Sequence, residues 1–174
     1  CIMKAGTLSF TPNLNIAGST TLTSTTATTF TGTVDGPGSL ILNGGAISFS
    51  GDIGNASALS SFSLASGSIT TWPDSMTAGI LSFSDVSITG SPTLISTTST
   101  TFTGTLDGPG SVTINGSSGT VNFNRAVGAS TALSSLSVTS TNSSITFAAT
   151  LDGPGSVTIN GNSDVVNFNG AVGK

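Results

Sequence analysis

Histidine, tyrosine, glutamate and glutamine are absent from the sequence, and charged residues of any kind make up only 6% of it, against about a quarter in an average soluble chain. Without histidine there is no Ser-His-Asp triad, and Lys4 and Lys174 at the extremities argue against a Ser-Lys pair. The acids are all aspartate: Asp35, Asp52, Asp74, Asp85, Asp107, Asp152 and Asp164. Three scattered bases (Lys4, Arg125, Lys174) and a net charge of −4 exclude a phosphate-neutralising surface, so no nucleic-acid partner and no anionic membrane surface is expected. No apolar run reaches the ~18 residues that span a bilayer, and CIMKAGTLSF at the start lacks the basic flank and long apolar core of a signal peptide. One cysteine, Cys1, cannot form an internal disulfide. A lipid-anchored lipoprotein also begins on cysteine, but the first residue of a fragment is the plainer reading. Scarcity of charge does not make the chain disordered, because 36% of it is hydrophobic.

What the sequence does contain is repetition. DGPGS stands at 35–39, 107–111 and 152–156, each time with a phenylalanine five residues before the aspartate (Phe30, Phe102, Phe147). STTATTFTGTVDGPGSLILNG at 24–44 recurs as STTSTTFTGTLDGPGSVTING at 96–116, and TLDGPGSVTINGSSGTVNFNRAVG at 105–128 recurs as TLDGPGSVTINGNSDVVNFNGAVG at 150–173. The first period is 72 residues and the second 45, which read as three units of about 24 and two of about 22. A chain that gains or loses whole units of that length has the habit of a solenoid. Between the turns, SVTIN (111–115), TVNFN (120–124), LSVTS (136–140) and SITFA (144–148) alternate apolar and polar residues with period two and are rich in β-branched residues. No helical period of useful length is present. The expected fold is all-β: a parallel β-solenoid, or β-helix, with coils of about 22–24 residues stacked ~4.8 Å apart. The whole of 1–174 is one repetitive segment, with copies at about 6–78, 79–128 and 129–174 and no evident caps.

The repeated motif has a physical reading. Proline fixes its own φ, the flanking glycines permit positive φ, and aspartate can accept hydrogen bonds from nearby backbone amides. Asp35-Gly36-Pro37-Gly38, Asp107-Gly108-Pro109-Gly110 and Asp152-Gly153-Pro154-Gly155 are therefore expected to be structural corners between faces. The Asn-Gly pairs 43–44, 115–116 and 160–161 read as turns too. Phe30, Phe102, Phe123, Phe147 and Phe168 are expected in the core.

Functional alternatives are weighed against this structural reading. The three repeated aspartates could line one edge and hold calcium, but copies two or three coils apart lie ~10–15 Å from each other, and one calcium ion needs six to eight oxygens at ~2.3–2.6 Å. No metal and no cofactor is therefore expected. Parallel β-helices also serve as polysaccharide-degrading enzymes, whose carboxylates must be close; the non-repeating charges Asp52, Asp74, Asp85, Asp164 and Arg125 form no cluster in sequence. Threonine-rich runs at 19–33 and 96–105 admit an ice-binding face, though exposed β-branched strand residues explain them more simply. Trp72, in TTWPDS, could stack on a ligand or pack in a turn, the latter being the leading reading.

With these residues in hand, the Ser/Thr/Gly/Asn-rich, nearly charge-free coils carrying GTLDGPGSVTING and VNFNGAVG resemble the repetitive passenger regions of bacterial filamentous-haemagglutinin-like and autotransporter-type surface proteins. The resemblance covers essentially the whole chain and rests on composition and period. It implies a right-handed parallel β-helix, export to the bacterial cell surface, and service as a non-enzymatic stalk or fibre in adhesion or biofilm, with possible glycan or cell-surface contacts. It supplies no catalytic, cofactor or metal residue. Both termini fall inside the repeat pattern, so the expectation is either a longer polypeptide or self-association through solenoid ends. A carbohydrate- or ice-binding solenoid is the alternative function, and an enzyme ranks third.

Overall fold

The computed structural model describes residues 1–141, 143–153, 155–162 and 165–173. Within them the chain is all strand and turn: β1 (Ile2–Phe10), β2 (Leu14–Asn15), β3 (Ser19–Phe30), β4 (Val34–Asp35), β5 (Ser39–Asn43), β6 (Ala46–Phe49), β7 (Leu59–Leu64), β8 (Ser68–Thr71), β9 (Ser75–Phe83), β10 (Val86–Ser87), β11 (Thr93–Phe102), β12 (Leu106–Asp107), β13 (Ser111–Gly116), β14 (Thr120–Phe123), β15 (Ser135–Thr141), β16 (Ser144–Phe147), β17 (Val157–Asn162) and β18 (Val165–Phe168). Every pairing given for these strands is parallel, and it joins a strand to one about one turn away. The result is a β-solenoid of three faces and about eight turns. It has this form because alternating five-residue strands have one apolar row each; only winding gives that row something to pack against.

Successive rungs are 19 to 24 residues long: Ser63 lies opposite Ser82, and Asn122 opposite Thr146. That range is wider than the expected 22–24, because corner loops such as 128–134 lengthen a turn without altering its strands. Inward residues are almost wholly buried, including Phe30, Phe102, Phe123 and Phe147 at 0–1% exposure. All nine phenylalanines form one unbroken contact chain from Phe10 to Phe168. Phe168 departs from its expected core position. It stacks on Phe147 at 5.1 Å but is 44% exposed, since no described rung covers its other side.

The repeat does not keep to one face. On the first face lie 2–5, 19–24, β5 and 61–64; on the second, 7–10, 27–30, β6 and β8; on the third, β2, β4 and Ile53. In this half the Phe-ended strands occupy the second face. Then Ile53 pairs with Met76 while Phe62 and Leu64 pair with Leu81 and Phe83, so the Phe-ended strands continue on the first face as 80–83, 99–102, β14, β16 and β18. The Leu-Asp strand β12 now lies on the second face and the long apolar strands β13, β15 and β17 on the third. GTLSF at 6–10 and GILSF at 79–83 are thus three and two-thirds turns apart, where sequence spacing implied three coils.

The phenylalanine ladder records this slip. Rings within each half are nearly parallel, with interplanar angles of 4–19°. Phe49–Phe62, which crosses from the second face to the first, meets at 63°, and Phe62–Phe83, both on the first face but one strand position out of step, at 44°. On the second face the hydrogen-bonded path ends at β8, and β10 pairs with β12 instead. Trp72 fills this joint: it is 8% exposed, its ring lies against Phe83, and its indole N–H donates to the Ser87 carbonyl at 2.9 Å. The aromatic is a packing residue, and its polar atom has the partner that a buried indole needs.

Two further expectations change. Asn43-Gly44 is a turn, with φ of 70° at Gly44, but 115–116 and 160–161 lie inside β13 and β17. Gly116 pairs with Ser96 and Ser140, and so occupies a row of small residues where the faces converge. The threonine-rich runs are also not simply exposed. Thr28 donates to the Ser24 hydroxyl at 2.9 Å and Thr100 to the Ser96 hydroxyl at 2.8 Å, and all four residues are buried.

Candidate functional sites at the corners and strand edges

The DGPGS motifs at 35–39 and 107–111 form corners, as their residue types require, but their aspartates reach further than the local turn. Asp35 Oδ1 accepts the backbone N–H of Ala56 at 2.9 Å and of Ser57 at 3.3 Å, in the following rung. Asp107 Oδ1 accepts those of Ser130 at 2.9 Å and Thr131 at 3.4 Å in the same way. The next glycine adds a third tie: Gly36 N–H donates to Ser57 O and Gly108 N–H to Thr131 O, both at 3.0 Å. The second glycine looks back, with Gly38 N–H donating to Ile16 O and Gly110 N–H to Ile88 O. Each of these two corners is therefore a staple through three rungs.

Glycine is obligatory at the first of these positions. Gly36 and Gly108 have φ of 117° and 114°, and a Cβ there would stand 2.5 and 2.4 Å from the carbonyl oxygens of Ile16 and Ile88. Ile16 and Ile88, with Leu133 behind Gly155, are buried corner residues that the motif itself did not reveal. Their signal is positional: each sits in the rung before a DGPG, ahead of a loop.

Burial alone would raise the Asp35 pKa. The Thr33 side chain and the N–H groups of Ala56, Ser57 and Asn55 outweigh it, holding the carboxyl below its ordinary value of 3.8. The third corner differs. Asp152 Oδ1 is buried and has no hydrogen-bond partner among the described residues. The staple's donors at the other corners are the third and fourth residues after Ile53 and Val127, and the equivalent rung residue here is Val172. Gly153 is correspondingly relaxed, with φ of 38° and nothing within 4 Å of an added Cβ. Pro154, like Asp164 and Lys174, lies outside the described residues.

The three motif aspartates do not share an edge. Asp35 follows Val34 on the third face, whereas Asp107 and Asp152 follow Leu106 and Leu151 on the second. No group of three or more His, Cys, Asp or Glu side chains that could hold a metal occurs among the described residues.

Of the non-repeating charges, Asp52 and Asp85 also join rungs: Asp52 Oδ1 accepts the Ser75 N–H at 2.9 Å and Asp85 Oδ1 the Thr105 N–H at 2.7 Å. Asp74 is exposed. Asp85 and Arg125, remote in sequence, line one open groove of about 360 Å³ together with Ser84, Thr103, Gly104 and Thr105. They occupy the second position after Phe83 and Phe123, and Gly104 holds that position in the rung between. Its missing side chain makes the notch. The groove has one carboxylate, so it lacks the carboxylate pair of a glycosidase, while its hydroxyls, carboxylate and guanidinium suit hydrogen bonding to a sugar. The outward rows of the third face are mixed: Thr77 is followed by Ile95, Asn115, Thr139 and Asn160, which is not a uniform threonine rank.

The remaining distinctive surfaces are the two strand edges. Ile2 and Met3 are 73% and 40% exposed on β1, and Val165, Phe168 and Val172 are 61%, 44% and 58% exposed on the last rung. Comparison with protein-family models, with curated proteins and with solved structures finds no match to the chain.

Proposed function

We propose that the chain is a non-enzymatic structural segment of an extracellular fibre or of a bacterial cell-surface adhesin stalk. The observation that carries this reading is the unbroken contact chain of phenylalanines through all the rungs, framed by parallel ladders. At ~4.8 Å per rung, eight turns make a rod on the order of 40 Å long whose every cross-section is hydrogen-bonded to the next. Axial stapling by Asp35, Asp52, Asp85 and Asp107 serves the same end, since each carboxylate ties one rung to its neighbour. The hydroxyl-rich, nearly charge-free composition, with its resemblance to repetitive autotransporter-type passengers, supports an exterior location.

Two measurements test the proposal. Antibodies against the chain should label intact cells of the source organism, and labelling only after lysis overturns the location. Pulled from its ends in a single-molecule experiment, the chain should yield rung by rung at high force; extension with little resistance overturns the mechanical role. The Asp85–Arg125 groove favours a second reading, carbohydrate binding along the rod. A glycan array blank for the wild-type chain removes it.

A further inference from the structure

We infer that the notch between Asp85 and Arg125 binds a sugar residue carrying one carboxylate, a uronate, and that Arg125 is the side chain that selects the acid. The inference rests on the carbohydrate reading of this groove and goes beyond it by naming the class of sugar and the group that recognises it.

The repeat copies separate what the corner requires from what it carries in addition. NFNRAVG at 122–128 recurs as NFNGAVG at 167–173, with arginine and glycine exchanged at one position of an otherwise identical segment. Gly32, Gly51 and Gly104 hold the same place, second after Phe30, Phe49 and Phe102. The backbone is alike in both copies: the Ala126 carbonyl accepts the Leu106 N–H and the Ala171 carbonyl the Leu151 N–H, and Val127 and Val172 form the matching bridges. Folding of the corner therefore does not call for Arg125. Its side chain is exposed and has no hydrogen bond or ion pair among the described residues. Asp85 also carries more than its corner needs. Its Oδ1 accepts the Thr105 N–H at 2.7 Å and packs so closely over Gly104 that a Cβ added there would stand 2.3 Å away. Asn13 performs the same task with a neutral amide: its Oδ1 accepts the Thr33 N–H at 3.1 Å and would stand 2.3 Å from a Cβ on Gly32. The charge of Asp85 is thus surplus to the staple, and its Oδ2 has no partner among the described residues.

Two surplus charges of opposite sign therefore flank one groove of about 360 Å³, toward the small end of ligand pockets. They sit two rungs apart, about 10 Å, which is too far for an ion pair and within the span of one sugar ring with a hydrogen bond at each end. Beside Asp85 the hydroxyls are set to accept: Thr103 Oγ1 donates its proton to the Phe83 carbonyl at 3.0 Å and Thr105 Oγ1 to Asp85 Oδ1 at 3.3 Å. That end of the groove is rich in acceptors, which suits the ring hydroxyls of a sugar, while the guanidinium at the other end offers the planar fork that binds a carboxylate bidentately. A neutral sugar leaves the guanidinium with no anion. A polyanion is disfavoured, since Arg125 is the only base between Lys4 and Lys174 and the net charge is −4. One carboxylate and several hydroxyls on a single ring match both ends.

Arg125 is the only arginine in the sequence, so its Nε–H gives an unambiguous signal in nitrogen-15 NMR spectra of the 174-residue chain. Titration with methyl β-glucuronide should shift that signal together with the backbone amides of Ser84, Asp85 and Thr103. Methyl β-glucoside and the methyl ester of the glucuronide have the ring without the charge, and acetate has the carboxylate without the ring; each should bind at least about tenfold more weakly. Arg125→Gly, which reproduces the 167–173 segment, and Arg125→Gln should keep the wild-type circular dichroism and lose the same factor for the glucuronide, read at the Asp85 and Thr103 amides. Equal affinity for the glucoside, the ester or acetate overturns the inference, as does stronger binding of glucose 6-sulfate. Glucuronide binding that survives both Arg125 variants, or a titration with no shift at all, overturns it too. The two ideas fail separately: glucoside bound as well as glucuronide, or a blank titration beside a positive glycan array, leaves the carbohydrate reading standing, whereas a blank array removes both.

Discussion

Asp107 and Asp152 occupy the same motif, yet of the two only Asp107 has amide donors on its Oδ1 among the described residues, and this contrast can be measured. Asp107→Ala removes two hydrogen bonds from backbone N–H groups to a carboxylate, at 2.9 and 3.4 Å. Bonds to a charged group are worth about 1.5–3 kcal/mol; the longer one is weak, and Ser130 and Thr131 are exposed enough for water to replace the aspartate. The expected cost is therefore at the bottom of that range, about 1.5 kcal/mol, or a little over tenfold in a local opening equilibrium. Because a solenoid can open locally, the suitable assay is amide hydrogen exchange at low protein concentration, read at Ser130 and Thr131. In Asp107→Ala both amides should exchange about tenfold faster, and Asp107→Asn should lose roughly half as much in free energy, since it keeps an oxygen acceptor without the charge. Asp152→Ala removes a buried acceptor that has no donor, so stability should change by less than ~0.5 kcal/mol or rise. Equal losses at Asp107 and Asp152, or undiminished protection at Ser130 in Asp107→Ala, would refute the inter-rung staple.

Three other perturbations separate positions that look alike or test a single contact. Gly108→Ala, forced to positive φ and into the Ile88 backbone, should cost more than ~3 kcal/mol, whereas Gly153→Ala, with open space around it, should cost about 1 kcal/mol; urea midpoints by circular dichroism compare them. Trp72→Phe should cost about 1–3 kcal/mol by leaving the Ser87 carbonyl unpaired at the joint, and wild-type tryptophan emission should be that of a buried indole that shifts red on unfolding. Asp35 has a folded pKa below its ordinary 3.8, so its carboxylate stabilises the fold above that pH and the contribution disappears as pH falls through the folded value. The urea midpoint of the wild type should therefore drop below about pH 4, and Asp35→Asn should flatten that part of the profile.

The period-two strands, the parallel winding and the corner role of DGPGS were legible in the sequence because each depends on local residue type. Alternating Val112, Ile114, Val121 and Phe123 define an inward row wherever they are wound, and all four are buried. Inter-rung bonding of Asp35 and Asp107 was not legible, since a side chain's partner one rung away leaves no trace in its own motif. Nor was the slip between faces. A repeat of 72 residues divides into three coils of 24 as readily as into three and two-thirds of about 20, and rungs here vary from 19 to 24 because loops absorb residues. One local sign did exist: Phe62 is followed by Ser-Leu inside its strand, whereas Phe30, Phe49 and Phe102 close theirs and run into a Ser- or Thr-Gly corner.

That the slip is tolerated says something about what specifies this fold. Asp35 works on the third face and Asp107 on the second, yet each receives two amides from the next rung, and each following glycine donates to a carbonyl of that rung at 3.0 Å. The corner thus belongs to the repeat unit and not to a fixed position around the axis. The disturbance is confined to the crossing, where Phe62 tilts and Trp72 fills the gap left by the interrupted second-face ladder; on either side the short Leu-Asp or Val-Asp strands and the longer apolar strands keep their order around the axis. The joint inside the chain is nevertheless fully packed, with Phe62 and Phe83 at 0% and Trp72 at 8% exposure, so the change of face costs the core no cavity that reaches solvent.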